Sequence, residues 1–277
     1  MRIAFIAAIY VQNEKHWAML EQTMRSVQCH RHELLKIAII NHCEGQYRMP
    51  LSRHFDFIAD NASNCLAQAW NLGLRIAFVE QECDYAIISN LDVDYKKTTI
   101  DELVAFANVN SEAVAWSCWS EGETPSVKGI GPDLDRLGRA RLTHLNTYGC
   151  FSVFMLAPRT IEKLKDVEQG TKEPFPGYFD ERIRPAYGED NDFSYRLDLA
   201  GLTHFVDRKT SIVHHRRSTI RLHDDPKWAT EHLSNFNQMF GSRCTMPGKG
   251  NKSLAYLTRK WGGVGPKMRY TKPFEKG

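Results

Sequence analysis

Short apolar runs rich in Ile, Val and Phe alternate with longer amphipathic stretches through the first 115 residues. Runs of this kind predict strands at 2–8, 35–41, 55–59 and 84–90. Between them, residues 16–28 and 65–80 carry helical spacing, and the second stretch brings Leu66, Ala69, Leu72 and Ile76 onto one face. A further helix is expected at 99–108. Strand and helix in strict alternation predict βαβ units and a largely parallel sheet. The pattern then breaks: residues 120–147 are polar and hold Gly122, Pro125, Gly129, Gly131, Pro132 and Gly138, which predicts an irregular loop and a candidate lid. Apolar segments at 113–119 and 148–156 flank it and are expected to pair in the sheet. Residues 190–200 read as a helix closed by Gly201, 204–213 as a strand, and 226–239 as a helix opened by Pro226.

Composition leaves this picture standing. With 277 residues, 42% hydrophobic, 25% charged and 11% aromatic, the chain falls among ordinary soluble proteins and outside disordered, collagenous or disulfide-dense classes. One domain with an appended tail is the expectation. The apolar start at 2–10 passes into Gln12, Asn13, Glu14 and Lys15 with no cleavage-like site, so it reads as a first strand. No run approaches the roughly 20 apolar residues of a membrane span. Seven scattered cysteines, none spaced as CxxC, predict neither a disulfide framework nor a structural zinc site and fit a reducing cytoplasm. Charge does add something. Of 36 lysines and arginines and 33 acids, nine cations and one acid lie in 241–277, leaving 27 and 32 before it: a body near −5 and a tail near +8. Such a tail points to an anionic partner.

The candidate chemistry sits in two acidic clusters. Asn90-Leu91-Asp92-Val93-Asp94 follows the apolar strand at 84–90, at the sheet edge where open α/β sheets bind ligands. Residues two apart on extended backbone share a side, so Asn90, Asp92 and Asp94 are expected to converge. Crowded carboxylates repel unless a cation neutralises them, and their hard oxygens suit Mg²⁺ or Mn²⁺; a solvated turn is the alternative. In the second cluster, Glu189, Asp190 and Asp192 open a helix whose Phe193, Leu197 and Ala200 share an apolar face. Helix capping accounts for some of these acids, but three in four positions exceed it. No GxGxxG follows a strand, and Gly248-Lys249-Gly250-Asn251-Lys252-Ser253 lacks P-loop spacing.

Three segments in order carry a resemblance: Asn64-Cys65-Leu66-Ala67-Gln68-Ala69-Trp70-Asn71-Leu72-Gly73, Ile88-Ser89-Asn90-Leu91-Asp92-Val93-Asp94, and Tyr187-Gly188-Glu189-Asp190-Asn191-Asp192-Phe193-Ser194-Tyr195-Arg196. Together, over roughly residues 2–216, the chain resembles the family 2 glycosyltransferases of the GT-A fold. The resemblance implies one GT-A-type α/β domain over 1–240, with a Rossmann-like, mostly parallel sheet flanked by helices. About 1–115 is its nucleotide-sugar half and 116–240 its acceptor half, with 241–277 a basic extension. It implies a metal-dependent, inverting transfer from a nucleoside-diphosphate sugar to a hydroxyl acceptor. Asp190 is then the catalytic base, with Glu189 on acceptor hydroxyls and Asp192 a cap. Asp92 is the metal ligand common to two registers of the family's motif, while Asn90 and Asp94 compete to be its partner. A further histidine ligand is implied at His214 or His215; neighbours on a strand face opposite ways, so one serves, His215 being favoured. Imidazole beside carboxylate tilts the metal towards Mn²⁺. Ala8 and Tyr10 after the first strand and Asn41 and Glu44 after the second are placed around the base, Asn41 standing where the family commonly has an acid. Asn64, Asn71 and Asn90 join this nucleotide-sugar set.

The tail run Arg259-Lys260-Trp261-Gly262-Gly263, followed by Arg269, Tyr270, Lys272, Pro273 and Phe274, mixes cations and aromatics. It reads as contact with the leaving diphosphate through Lys260, as a site for an anionic acceptor including nucleic acid, or as a tail docking through Trp261 and Phe274. Two other function classes stay open at this level: a nucleic-acid-binding protein on a GT-A-like scaffold, and a nucleotidyltransferase that releases pyrophosphate.

Overall fold

The computed structural model describes residues 1–63, 65–121, 139–142, 151–168, 177–184, 188–215, 222–227, 229–230 and 252–261. Its first strand shows how the apolar runs work. In β1 (Arg2–Val11), Ile3, Phe5, Ala7, Ile9 and Val11 enter one core layer, and Ala4 and Ile6 the other. A strand buried on both faces must be apolar throughout, hence a continuous run and not an alternating one. β2 (Glu33–Cys43) and β4 (Tyr85–Ser89) divide in the same way.

Helices seal both layers. α1 (Glu14–Ser26) is capped by Asn13, whose side chain accepts from the His16 N–H at 3.0 Å, and covers the first layer with Trp17, Leu20 and Met24. α2 (Gly45–Arg48) runs into a 3₁₀ turn, Met49–Arg53, leading to β3 (Phe57–Asp60). α3 (Leu66–Arg75), prolonged by a π turn at Ile76–Glu80, covers the second layer. It lies so close to β1 that a Cβ on Gly73 would come within 2.4 Å of Ile6 Cγ2. α4 (Thr99–Val109) returns to the first layer.

The sheet order is β3-β2-β1-β4-β8-β6-β9-β5, with β7 on the flank of β9. β3, β2, β1 and β4 are parallel, as expected from βαβ units. β5 (Val93–Tyr95), β6 (Ala115–Glu121), β7 (Arg139–Leu142), β8 (Val153–Leu156) and β9 (His204–His214) form a mixed half. The segments expected to pair do so, as antiparallel β6 and β8. α5 (Arg159–Glu168) and α6 (Glu189–Leu199) follow, α6 within a residue of its expected bounds. Where the irregular segment expected at 120–147 is described it is strand instead, the end of β6 at 120–121 and β7 at 139–142, because hydrogen bonding to β9 continues through these polar positions; the rest lies outside the described residues. Of the expected 226–239 helix, residues 226–227 and 229–230 are described and helical, and the rest lies outside the described residues. In the basic extension α7 (Lys252–Trp261) stands; Arg269, Tyr270, Lys272, Pro273 and Phe274 lie outside. No described helix is long and apolar enough to cross a membrane, and the described cysteines are free thiols.

Candidate active site

The first acidic cluster lies where β4 leaves the sheet and β5 pairs with β9. The register sets Val93 opposite His214 and Asp94 opposite Val213, so adjacent His214 and His215 face opposite ways. Asp94 keeps the face of His215 and bonds it, Oδ2 to Nε2 at 2.9 Å, while Gln22 Nε2 donates to both Asp94 oxygens at 3.0 and 2.9 Å. Asp92 precedes the strand in a bend whose carbonyl accepts from the His215 N–H at 2.8 Å. The bend frees its side chain from strand alternation, and Asp92 Oδ1 lies 3.2 Å from His214 Nε2. The two carboxylates expected to converge therefore belong to separate pairs. Among the described residues no three His, Cys, Asp or Glu side chains gather as a metal-binding group.

The pairs differ in setting. Side-chain exposure is 10% and 13% for Asp92 and His214, against 32% and 42% for Asp94 and His215. Ser152 Oγ lies 2.8 Å from His214 Nδ1 and fixes the ring so that Nε2 faces Asp92. Ser152 also accepts, through its carbonyl, the N–H of Asn90 at 2.9 Å. Ligands in neighbouring positions of an octahedron with ~2.1 Å bonds stand ~3 Å apart. The Asp92–His214 separation and its oxygen-plus-imidazole donors thus fit a small divalent cation.

The second cluster begins at Gly188, whose φ of +104° admits glycine and strains other residues. From 188 to 197 every residue is buried except Asp190. Asp190 Oδ1 accepts from the Asn191 N–H at 2.8 Å and from Asn191 Nδ2 at 3.1 Å, while Oδ2 takes no hydrogen bond among the described residues. The protein around this carboxyl desolvates it and raises its pKa above the ordinary carboxylate range, against the lowering effect of the Asn191 hydrogen bonds. Glu189 is buried. Asp192, expected only to cap, is fully buried and bonded on both oxygens: Oδ2 to Arg196 Nε at 2.9 Å, and Oδ1 to Trp261 Nε1 at 2.6 Å and Lys260 Nζ at 2.9 Å.

Lys260, expected on a diphosphate, is instead enclosed, its side chain 3% exposed between Asp192 and Asp180, whose Oδ2 it meets at 2.7 Å. Asp180 also accepts from the Tyr256 hydroxyl at 2.6 Å and from Arg182 Nε at 2.9 Å. Burial alone would raise the Asp180 pKa, but Arg182, Lys260 and Tyr256 outweigh it and hold the carboxyl far below its usual range. Asp180 was not foreseen. Its segment is pinned by Asn71, whose amide donates to the Phe179 carbonyl at 2.8 Å and accepts the Phe179 N–H at 3.0 Å. Asn71 thus ties the motif helix α3 to the ground under α6.

Around the ends of β1 and β2, Tyr10 is ringed by histidines. Its hydroxyl lies 3.1 Å from His223 Nε2, and its ring centroid 5.1 Å from that of His42 and 6.0 Å from that of His16. Glu44 Oε1 lies 3.2 Å from His42 Nε2. Asn41 Oδ1 accepts from Asn61 Nδ2 at 2.6 Å. Ala8 is part-buried at the end of β1, and Asn64 lies outside the described residues. Residues 222–224 cover this corner: Asn13 Nδ2 donates to the Leu222 carbonyl at 2.8 Å, and Gln12 Oε1 accepts from the Asp224 N–H at 3.3 Å.

No protein-family model matches the chain, and no curated protein sequence does. Solved structures match along most of its length. S. aureus TarS 1–349 in complex with UDP aligns with a TM-score of 0.58 at 13% identity, covering 93% of this chain and 78% of that one. The mannosyltransferase PcManGT from Pyrobaculum calidifontis, in complex with GDP-Man and Mn²⁺, gives 0.56 at 14% identity, with 99% and 66% covered. GalNAc-T7 with UDP, GalNAc and Mn²⁺ gives 0.54 at 13% identity, with 76% and 43% covered. The chain spans less than half of the GalNAc-T7 chain and of the longer TarS structure, of which it covers 44%. At such identities the likeness is one of fold, and the fold is that of GT-A glycosyltransferases.

Proposed function

We propose that the chain is a metal-dependent, inverting glycosyltransferase that moves a sugar from a nucleoside diphosphate to a hydroxyl acceptor. The observation that carries this reading is Asp190. It alone opens outward from a buried helix start, with one oxygen unbonded among the described residues and a pKa raised by its surroundings. A carboxylate so placed suits a general base, because its proton affinity is lifted towards neutral pH. As the acceptor oxygen bonds to the anomeric carbon, its proton passes to Asp190. The bond from that carbon to the diphosphate breaks, and the nucleoside diphosphate leaves with the electron pair. Asp92 and His214 are the residues to hold a divalent cation, and when bound it supplies positive charge against the diphosphate. The corner of Tyr10, Asn41, His42 and Glu44 receives the base. Fold neighbours bound to UDP or GDP-Man, two of them with Mn²⁺, support a nucleotide-sugar donor and this metal class.

A thermal-shift screen of UDP, GDP, CDP and their sugars, each with Mn²⁺, Mg²⁺ or EDTA, tests the reading. A metal-dependent rise in Tm with one nucleotide, and release of that nucleoside diphosphate from its sugar, is the expected result. Release of pyrophosphate from a nucleoside triphosphate would instead make the chain a nucleotidyltransferase. No shift with any nucleotide would sink the proposal.

A further inference from the structure

Asp190 and Asp192 stand two residues apart on α6, so at 100° per residue their side chains project about 200° apart around the helix. Whatever holds Asp192 on the inner side therefore directs Asp190 outward. α6 starts at Gly188 with no side-chain cap; within its first turn the Asp192 N–H donates to the Gly188 carbonyl at 2.9 Å and Asn191 donates to Asp190 Oδ1, contacts that do not tie the turn to the rest of the fold. The contacts that fix Asp192 against the fold come from outside the turn. Two of the three described groups on the Asp192 carboxylate belong to α7, Trp261 Nε1 and Lys260 Nζ, and Trp261 also meets Tyr195 edge to face at 4.7 Å between centroids. Lys260 is the cation shared by Asp192 and Asp180, and Asp180 lies in the segment that Asn71 ties to α3. Arg196, fully buried, completes the network from α6 itself.

We infer that Lys260 and Trp261 of α7 are positioning residues that set the orientation of the first turn of α6, and with it the direction of Asp190. The catalytic consequence rests on the reading of Asp190 as base; the structural coupling does not. Neither residue touches the reacting atoms in this assignment. Both act through Asp192.

The test compares the full-length chain with Lys260→Met, Lys260→Arg and Trp261→Phe. Trp261→Phe removes one hydrogen-bond donor and keeps the ring against Tyr195, so it serves where Lys260→Met fails to fold. Amide exchange in residues 189–199 should quicken at least about tenfold in Lys260→Met and Trp261→Phe while β1 and β4 stay protected, the mark of a local opening. With the nucleotide sugar found in the screen, kcat should fall up to about 100-fold, the scale of a ~1 Å misplacement, with KM for the donor held within about threefold. The acid limb of the kcat profile should move to lower pH, because a loosened turn admits water to Asp190, and Lys260→Arg should recover most of the rate. Exchange unchanged in 189–199, or raised uniformly over the chain, overturns the inference. So does a loss that falls on KM and not on kcat. If the wild-type chain releases no nucleoside diphosphate from any donor yet exchange rises locally in 189–199, the coupling of α7 to α6 stands and the base assignment falls.

Discussion

Two pairs of carboxylates, each spaced two residues apart, frame the candidate site, and they obey different geometry. On helix α6 the spacing throws Asp190 and Asp192 to opposite sides, one outward and part-exposed and one into a buried set of cations. At the start of β5 the same spacing should hold Asp92 and Asp94 on one face, but the bend at Asp92 separates them. Asp92 joins His214 inside, and Asp94 joins His215 at the rim. In both places the two acids of a pair end in different surroundings. Spacing by itself says nothing about which is which; the backbone around it decides.

The widest separation is expected within the helical pair. Asp190→Asn should lower turnover by roughly 10²- to 10⁴-fold while nucleotide binding, read by thermal shift, is kept. It should also raise Tm at neutral pH. A carboxyl whose folded pKa is raised contributes stability below its unfolded pKa and loses it as pH climbs through the folded value, so the native charge opposes folding at neutral pH. Activity of the wild-type chain should fall with decreasing pH at a higher pH than for an ordinary carboxylate. Asp192→Asn should do the reverse to stability: it leaves Lys260 and Arg196 without their common buried anion, at a cost of roughly 3–5 kcal/mol in urea melts. Equal stability of the two variants would erase the distinction.

For the strand pair, Asp92→Asn and His214→Ala should weaken Mn²⁺-dependent nucleotide binding by about 10- to 100-fold, measured by titration calorimetry. Asp94→Asn and His215→Ala should change it by no more than about fivefold, the scale of an exposed ion pair. A stronger loss from the outer pair would transfer the metal to it. Gly188→Ala acts on the helical pair as a whole: a side chain forced to φ +104° costs roughly 1–3 kcal/mol in thermal melts and moves both acids together.

Much of this architecture is legible in the chain because continuous apolar runs mark strands covered on both faces. β1 and β2 stand where the runs predict, β1 running on to Val11 and β2 reaching from Glu33 to Cys43, while β4 is a residue shorter at each end than its run. β5 is not legible. Three residues carry no period, and its partner β9 lies about 120 positions onward. α7 hides for another reason: it lies in a segment, 241–277, that holds nine lysines and arginines and one acid, so it reads as part of a solvated tail, yet Tyr256, Leu257 and Trp261 are buried and Lys260 nearly so. The acids of the site are visible as types, but whether Asp192 caps or anchors depends on those distant partners. Asp180 follows no motif, and two of its partners, Tyr256 and Lys260, belong to α7.

The hydrogen bond from Trp261 to Asp192 joins groups 69 residues apart. At roughly 5–20 residues per second of synthesis, Asp192 precedes its partner by about 3 to 14 seconds on the ribosome. During that interval α3 and the strands before α6 are already made and β9 follows, while among the described residues the Asp192 carboxylate has Arg196 alone to answer its charge. Completion of the buried network around Asp192 is thus a late event in the life of each nascent chain, timed by translation of the segment that follows β9.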